Sequence, residues 1–363
     1  MNIYIGLIVV FLLIALLIKL RVKNKSQQER WIAMVGMFLI FLLLALKGET
    51  VGTDTAGYKL QYEVAAEREW GDYDYIYWEQ GYTILTMFFS KLGVSFQLFA
   101  AAVYALWCGA IYQLIKRFSS NATLSVIIFI CYTYLVFSIS GLRQTLAMTI
   151  CLYSFFLYLR PKIWTKVVAV VVTIVTTYIH QSSIVFLGIF AILLFKKQAK
   201  ITVWVAVTVG TALLRTLIWG LVSYFYEVRI TDAEIGGNFI FLLGMVAFIS
   251  FSYYYKTYNK NMYNQQLDKS GVEDFDAFFV RCAFLCIICY VVFTGGKLLR
   301  ANMYYTLFLI PAIPRMIDRY MGRTKTLLAL LMGCFMLYLF ITASIIPNQL
   351  DMLPYHFFWQ IDK

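Results

Sequence analysis

The sequence predicts an all-α fold: a polytopic integral membrane protein of about twelve transmembrane helices, ten at the fewest, with a cavity on its outer face. Of the 363 residues, 61% are hydrophobic and only 14% charged, against roughly 45–50% and about 25% in ordinary soluble domains. That composition excludes a soluble globule. Apolar blocks near the ~20 residues needed to cross a bilayer recur from position 3 to position 346. No segment alternates in the ten-residue pattern of an outer-membrane barrel. The formal charge of +12 is spread over the short loops between apolar blocks, where it sets topology and forms no patch for nucleic acid.

The first block, residues 1–20, has no basic residue ahead of its apolar run and a cluster behind it: Lys19, Arg21, Lys23, Lys25 and Arg30. It reads as a retained first span with its N-terminus outside. Further spans are expected at about 31–47, 95–115, 122–139, 142–159, 166–180, 183–195, 201–224, 238–255, 278–294, 301–314 and 326–346. From that start, about two thirds of the 31 basic residues fall inside, among them Lys116, Arg117, Lys196, Lys197, Lys260, Lys269, Arg315 and Arg319, as the positive-inside rule requires. The pieces 166–180 and 183–195, interrupted at His180, also fit a re-entrant pair. Residues 1–363 read as a single multi-pass domain without internal repeats, and residues 48–95 as its large extracytoplasmic loop. That loop ends in an apolar stretch, 82–89, too short to cross, which reads as an amphipathic helix on the outer surface. The longest inner loop, 255–278, is polar and carries no motif. All seven cysteines lie in apolar segments. Cys282, Cys286 and Cys289 share a helical face, but with no adjacent His or acid they read as small buried side chains.

Ionisable groups in or beside a membrane are costly and tend to mark function. On this topology they gather on the outer side. Lys47 and Asp54 follow the second span, Glu79 precedes the surface helix, Arg143 and Gln144 begin the fifth span, His180 ends the sixth, and Lys297 and Arg300 precede the eleventh. Lys47, Lys297 and Arg300 also suit snorkelling side chains at helix ends. Arg143 fits that role less well, because the positive-inside rule disfavours it there and its planar fork suits phosphate. His180, in Tyr-Ile-His-Gln-Ser-Ser at a helix break, offers a neutral imidazole for proton transfer. His356 reads as interfacial. Arg215, mid-span, needs a partner or a wet cavity. Asp72-Tyr73-Asp74 has the acid-x-acid spacing of metal-dependent glycosyltransferases, a pattern that any acidic loop produces often. Tyr73, Tyr75, Tyr77, Trp78 and Tyr82 cluster beside Glu79, and aromatic faces stack on sugar rings.

At these residues the sequence resembles the EpsG family of Wzy-type polysaccharide polymerases, from about residue 45 to 355. The marks come in order: Val51-Gly52-Thr53-Asp54 with Tyr58, Glu79-Gln80-Gly81-Tyr82, Leu142-Arg143-Gln144 with Ala147, His180 with Ser182, Arg300 with Tyr304 and Pro311, and Pro354-Tyr355. Lys47 stands where the family usually has arginine, and Gln80 where it often has proline. The resemblance implies an enzyme of the bacterial cytoplasmic membrane, its site facing out. It would join oligosaccharide repeat units carried on undecaprenyl diphosphate, with a chain-length regulator and a flippase as expected partners.

On that reading Arg143, Arg300, Lys47 and Lys297 hold the diphosphates, whose developing charge cations in a low-dielectric cavity oppose, so no cofactor or divalent metal is called for. His180 is the first candidate base, with Asp54 or Glu79 the second. Trp78, Tyr82, Tyr58, Tyr304 and Gln144 are the candidates for the sugar. The competing readings are a transporter or lipid-linked sugar flippase, an O-antigen-ligase-like or metal-dependent transferase, and an acyltransferase acting through His180. A carrier would place its charges at the midplane and show two similar halves.

Overall fold

The computed structural model describes residues 3–73, 78–195, 199–218, 220, 237–258, 275–293 and 297–360. Asp74, Tyr75, Tyr77, Lys196, Lys197, Lys260 and Lys269 lie outside the described residues, as does most of the 255–278 loop. Every regular element that is described is helical. This suits a chain set in lipid, because a helix satisfies its own backbone groups. The chain divides into two compact units, Met1–Ile184 with Thr326–Lys363, and Val185–Lys325.

The first unit contains α1 (Ile3–Arg21), α2 (Lys25–Ala45), α3 (Thr55–Glu67), α4 (Gln80–Lys91), α5 (Phe96–Phe118), α6 (Ala122–Cys131), α7 (Tyr134–Ser140), α8 (Leu142–Tyr158) and α9 (Ile163–Val175). Side chains fix where several of them start: Asn24, Ser95 and Asn121 accept the backbone N–H of Gln27, Leu98 and Leu124, each satisfying one donor of an open first turn. α2 packs against α1, α5 and α6, α5 against α8, and α8 against α9. Trp107 is fully buried, and its Nε1 donates to Ser138 Oγ at 3.0 Å, tying α5 to α7. α3 and α4 pack on each other within the 48–95 segment. The expected surface helix at 82–89 forms as α4; α3 was not expected.

In the second unit, α10 (Leu187–Leu193), α11 (Ile201–Leu213), α12 (Gly237–Tyr258), α14 (Met303–Thr306) and α15 (Leu309–Ile317) all pack on α13 (Phe275–Phe293). Cys282, Cys286 and Cys289 are buried on α13, as expected of small apolar side chains. Arg281, also on α13, is 5% exposed and donates to Ile192 O at 2.9 Å. Asp276 accepts from Arg315 and, at 3.1 Å, from Arg319, which fastens the start of α13 to the end of α15. Arg215, expected mid-span, lies beyond the end of α11. The last long helix, α16 (Gly322–Phe340), continues into a π turn, Ile341–Ile345.

By length and composition, five described helices can cross a membrane: Ile3–Arg21, Lys25–Ala45, Phe96–Phe118, Phe275–Phe293 and Gly322–Ile345. The bent pair α6 and α7 makes a sixth if it is one span. These candidates coincide with five, or six, of the twelve expected crossings. The pair meets at 48°, beside Thr133, whose φ of 146° no helix accommodates. Other expected spans form shorter apolar helices, Ile163–Tyr178, Gln181–Leu193, Ile201–Leu213 and Leu242–Tyr254. The 301–314 stretch is divided between α14 and α15, where Pro311 and Pro314 bring no backbone donor. Ile3–Arg21 and Gly322–Ile345 are only 22% and 17% buried, so most of their apolar surface is left for lipid.

Candidate functional site

The site is assembled in the first unit from helix ends and breaks. Past the end of α2 the chain pairs with the C-terminal segment: Lys47 bridges Phe357, Gly48 N donates to His356 O at 2.7 Å, and Phe358 N to Leu46 O at 3.0 Å. Tyr355 OH on Leu43 O and Tyr4 OH on Met352 O hold that segment in place. The next turn requires glycine. Gly52 has φ +98°, and a Cβ there would stand 2.7 Å from Ile139 O. Through this turn Asp54 N donates to Ser140 Oγ at 3.0 Å, which sets the start of α3 against the end of α7. The Asp54 carboxylate is exposed and does not cap α3. Lys47 is 4% exposed, and its Nζ is engaged by Thr55 Oγ1 at 2.6 Å and Val51 O at 3.1 Å. Burial lowers its ammonium to about 7.

A second glycine brings the remaining pieces together. A Cβ on Gly81 would come within 2.6 Å of Tyr178 O, so only glycine lets the start of α4 lie against the 3-10 turn Thr176–Tyr178 that ends α9. Glu79, just before α4, thereby meets His180, just after that turn. Glu79 Oε1 takes His180 Nδ1 at 2.8 Å and the backbone N–H of Gln181 at 3.1 Å. Its Oε2 takes Arg143 Nη1 at 2.5 Å. Arg143 stands in the first turn of α8, just past Gly141, where a Cβ would strike the Phe137 ring. Its guanidinium lies 5.0 Å over the Trp78 ring, and its Nε reaches Tyr58 OH at 3.5 Å. Tyr58, Trp78 and Tyr82 complete an aromatic wall, with centroids 5.1, 5.5 and 6.1 Å apart.

Burial works to raise the Glu79 carboxyl, but the His180 hydrogen bond, the charges of His180 and Arg143 and the Gln181 N–H outweigh it and bring it to about 2. It is an anion at any working pH. The side chains of Glu79, His180 and Arg143 are 12%, 23% and 20% exposed. That is dry enough to strengthen their interactions and open enough to be reached. Because a carboxylate only accepts, Nδ1 carries the proton in the His180–Glu79 bond, and in the neutral ring Nε2 is then the acceptor.

Of the residues expected at the site, the structure brings together Glu79, Arg143, His180, Tyr58, Trp78 and Tyr82. Gln144 is buried beside Arg143 on α8. Arg300, exposed, and Tyr304, buried against Phe186, belong to the second unit; the side chain of Lys297 is outside the description. Asp72 pairs with Arg68 at 3.0 Å. Gly81 and the Gln181 N–H have positions in the site that the sequence reading did not assign, although both flank residues it named.

No curated protein and no solved structure matches the chain. The EpsG family model matches residues 30–357, a stretch that contains Glu79, Arg143, His180 and the turns that bring them together. The chain therefore belongs to the EpsG family, multi-pass membrane proteins that resemble polysaccharide polymerases.

Proposed function

We propose that this protein is a glycosyltransferase that polymerises undecaprenyl-diphosphate-linked oligosaccharide repeat units at the outer face of the bacterial cytoplasmic membrane. Its proposed topology is the twelve-crossing one that puts Glu79, Arg143 and His180 on that face. One observation supports the chemistry above the rest: a single carboxylate, Glu79, grips both an arginine and a histidine. His180, aligned by Glu79 through Nδ1, takes the proton of the acceptor sugar hydroxyl on Nε2. The freed oxygen attacks the anomeric carbon of the growing chain, whose bond to the lipid diphosphate breaks as the new glycosidic bond forms. Arg143 gives Glu79 one N–H and keeps others to meet the departing diphosphate. Trp78, half-buried, offers its ring to the sugar, with the buried Tyr58 and Tyr82 packed against it.

The test is genetic and chemical. Deletion of the gene should leave single lipid-linked repeat units at the outer face and abolish the polymer ladder. Wild type should restore the ladder, and Arg143→Ala should not, at equal protein level. A normal ladder from Arg143→Ala would sink the assignment, and units accumulating inside would make the protein a flippase.

A further inference from the structure

A cavity of about 730 Å³ opens in the first unit and shares Tyr58 with the Arg143 cluster, while Glu79, Arg143 and His180 are absent from its wall. Its volume lies in the range of small-molecule sites, roughly 300–1,000 Å³. Its charges are balanced. Lys47, Lys59, Glu49 and Glu63 all line it, and Lys59 is paired with both acids, so the wall has no surplus for an anion such as diphosphate. Aromatic rings from separate elements line it, Tyr62 on α3, Phe96 on α5 and Phe358 near the C-terminus. Two polar groups on the wall are unengaged: the Tyr104 hydroxyl, on a residue 2% exposed, and the His356 ring make no hydrogen bond among the described residues. Polar groups so placed disfavour an acyl chain, which would leave them unsatisfied.

From this wall we infer that the cavity is a glycan subsite that holds sugar rings of the substrate, at least one residue removed from the bond formed at His180. Its aromatic faces cover the C–H faces of the rings, and the Tyr104 hydroxyl and His356 meet ring hydroxyls. Tyr58, common to both places, marks where the saccharide passes from the subsite to the reacting centre. The inference rests on the polymerase reading.

The probe is the set of lipid-free oligosaccharide fragments cut from the host's own surface polysaccharide, titrated onto the full-length protein in lipid nanodiscs. Wild type should bind them saturably. Tyr104→Phe should weaken binding about fivefold, the equivalent of one hydrogen bond, and Phe358→Ala by a similar factor. Both variants should shift the cellular ladder towards shorter chains. Arg143→Ala should bind the fragments as wild type does while making no polymer. Unchanged binding by both Tyr104→Phe and Phe358→Ala would overturn the subsite, as would displacement of the fragments by undecaprenyl phosphate alone. Phe358 is half-exposed, so its variant decides the matter if Tyr104→Phe does not fold. Normal polymer from Arg143→Ala would remove the polymerase reading and leave the binding result standing on its own.

Discussion

Each unit of the molecule contains one acid gripped by two basic side chains. In the second unit Asp276 holds Arg315 and Arg319, and in the first Glu79 holds Arg143 and His180. Both join helix ends that are far apart in sequence, both are partly buried, and in both an arginine lies over an aromatic ring, Arg319 over Tyr253 and Arg143 over Trp78. The difference is the second cation. Two guanidiniums make a clamp with no proton to exchange, because arginine stays protonated. Exchanging one of them for an imidazole keeps the fastening and adds a nitrogen that can accept a proton. A cluster of ionised groups near a membrane is thus weak grounds for a site; what its members can still do once paired is stronger.

Neutralising each acid separates the clamp from the site most directly. Glu79→Gln keeps the shape but removes the charge that aligns His180. Polymer formation per folded molecule should fall by about 10²–10⁴, the size of a general-base contribution. Asp276→Asn should leave that activity intact and lower thermal stability in detergent by about 2 kcal/mol, the scale of a charge-assisted hydrogen bond. If Asp276→Asn abolished activity in folded protein, or Glu79→Gln cost only stability, the division between clamp and site would be wrong.

A smaller effect is expected from Gly81→Ala, which touches neither substrate nor charge. The added Cβ must push the start of α4 off Tyr178 O, and with it Glu79 off His180. A displacement of this kind at a catalytic pair costs up to about 10²-fold in rate, and binding of lipid-free fragments should be unaffected. Gly57→Ala, where a Cβ meets nothing within 4 Å, is the control. Equal activity from the two variants would show that the α4 contact does not position the site.

How much of this was legible in the sequence follows from range. Local signals read well: the break at His180, Arg143 at a helix start, α4, and the marks that named the family. The helix α3 was overlooked because its Glu, Lys and Gln residues made the segment look like solvated loop. Tyr58, Tyr62 and Ala65, buried at helical spacing, were the available signal. The Glu79 contacts join residues 64 and 101 positions apart, and no local pattern carries a pairing of that range. The crossing count was legible in part: five helices, or six with the bent pair, are long and apolar enough to cross, and several other expected spans form shorter apolar helices.

The smallest expected effect is on pH dependence. The Glu79 carboxyl is held at about 2 in the folded protein against about 4.3 when free, so its ionised form stabilises the fold. That stabilisation is complete above the free value and disappears as pH falls through about 2. The stability difference between wild type and Glu79→Gln should therefore be level from pH 7 to pH 5 and shrink steadily below that, as read by thermal unfolding in detergent. A Glu79 difference already shrinking above pH 5 would mean that His180 and Arg143 do not hold the carboxylate as tightly as their distances imply, and the alignment argued for Nε2 would lose its support.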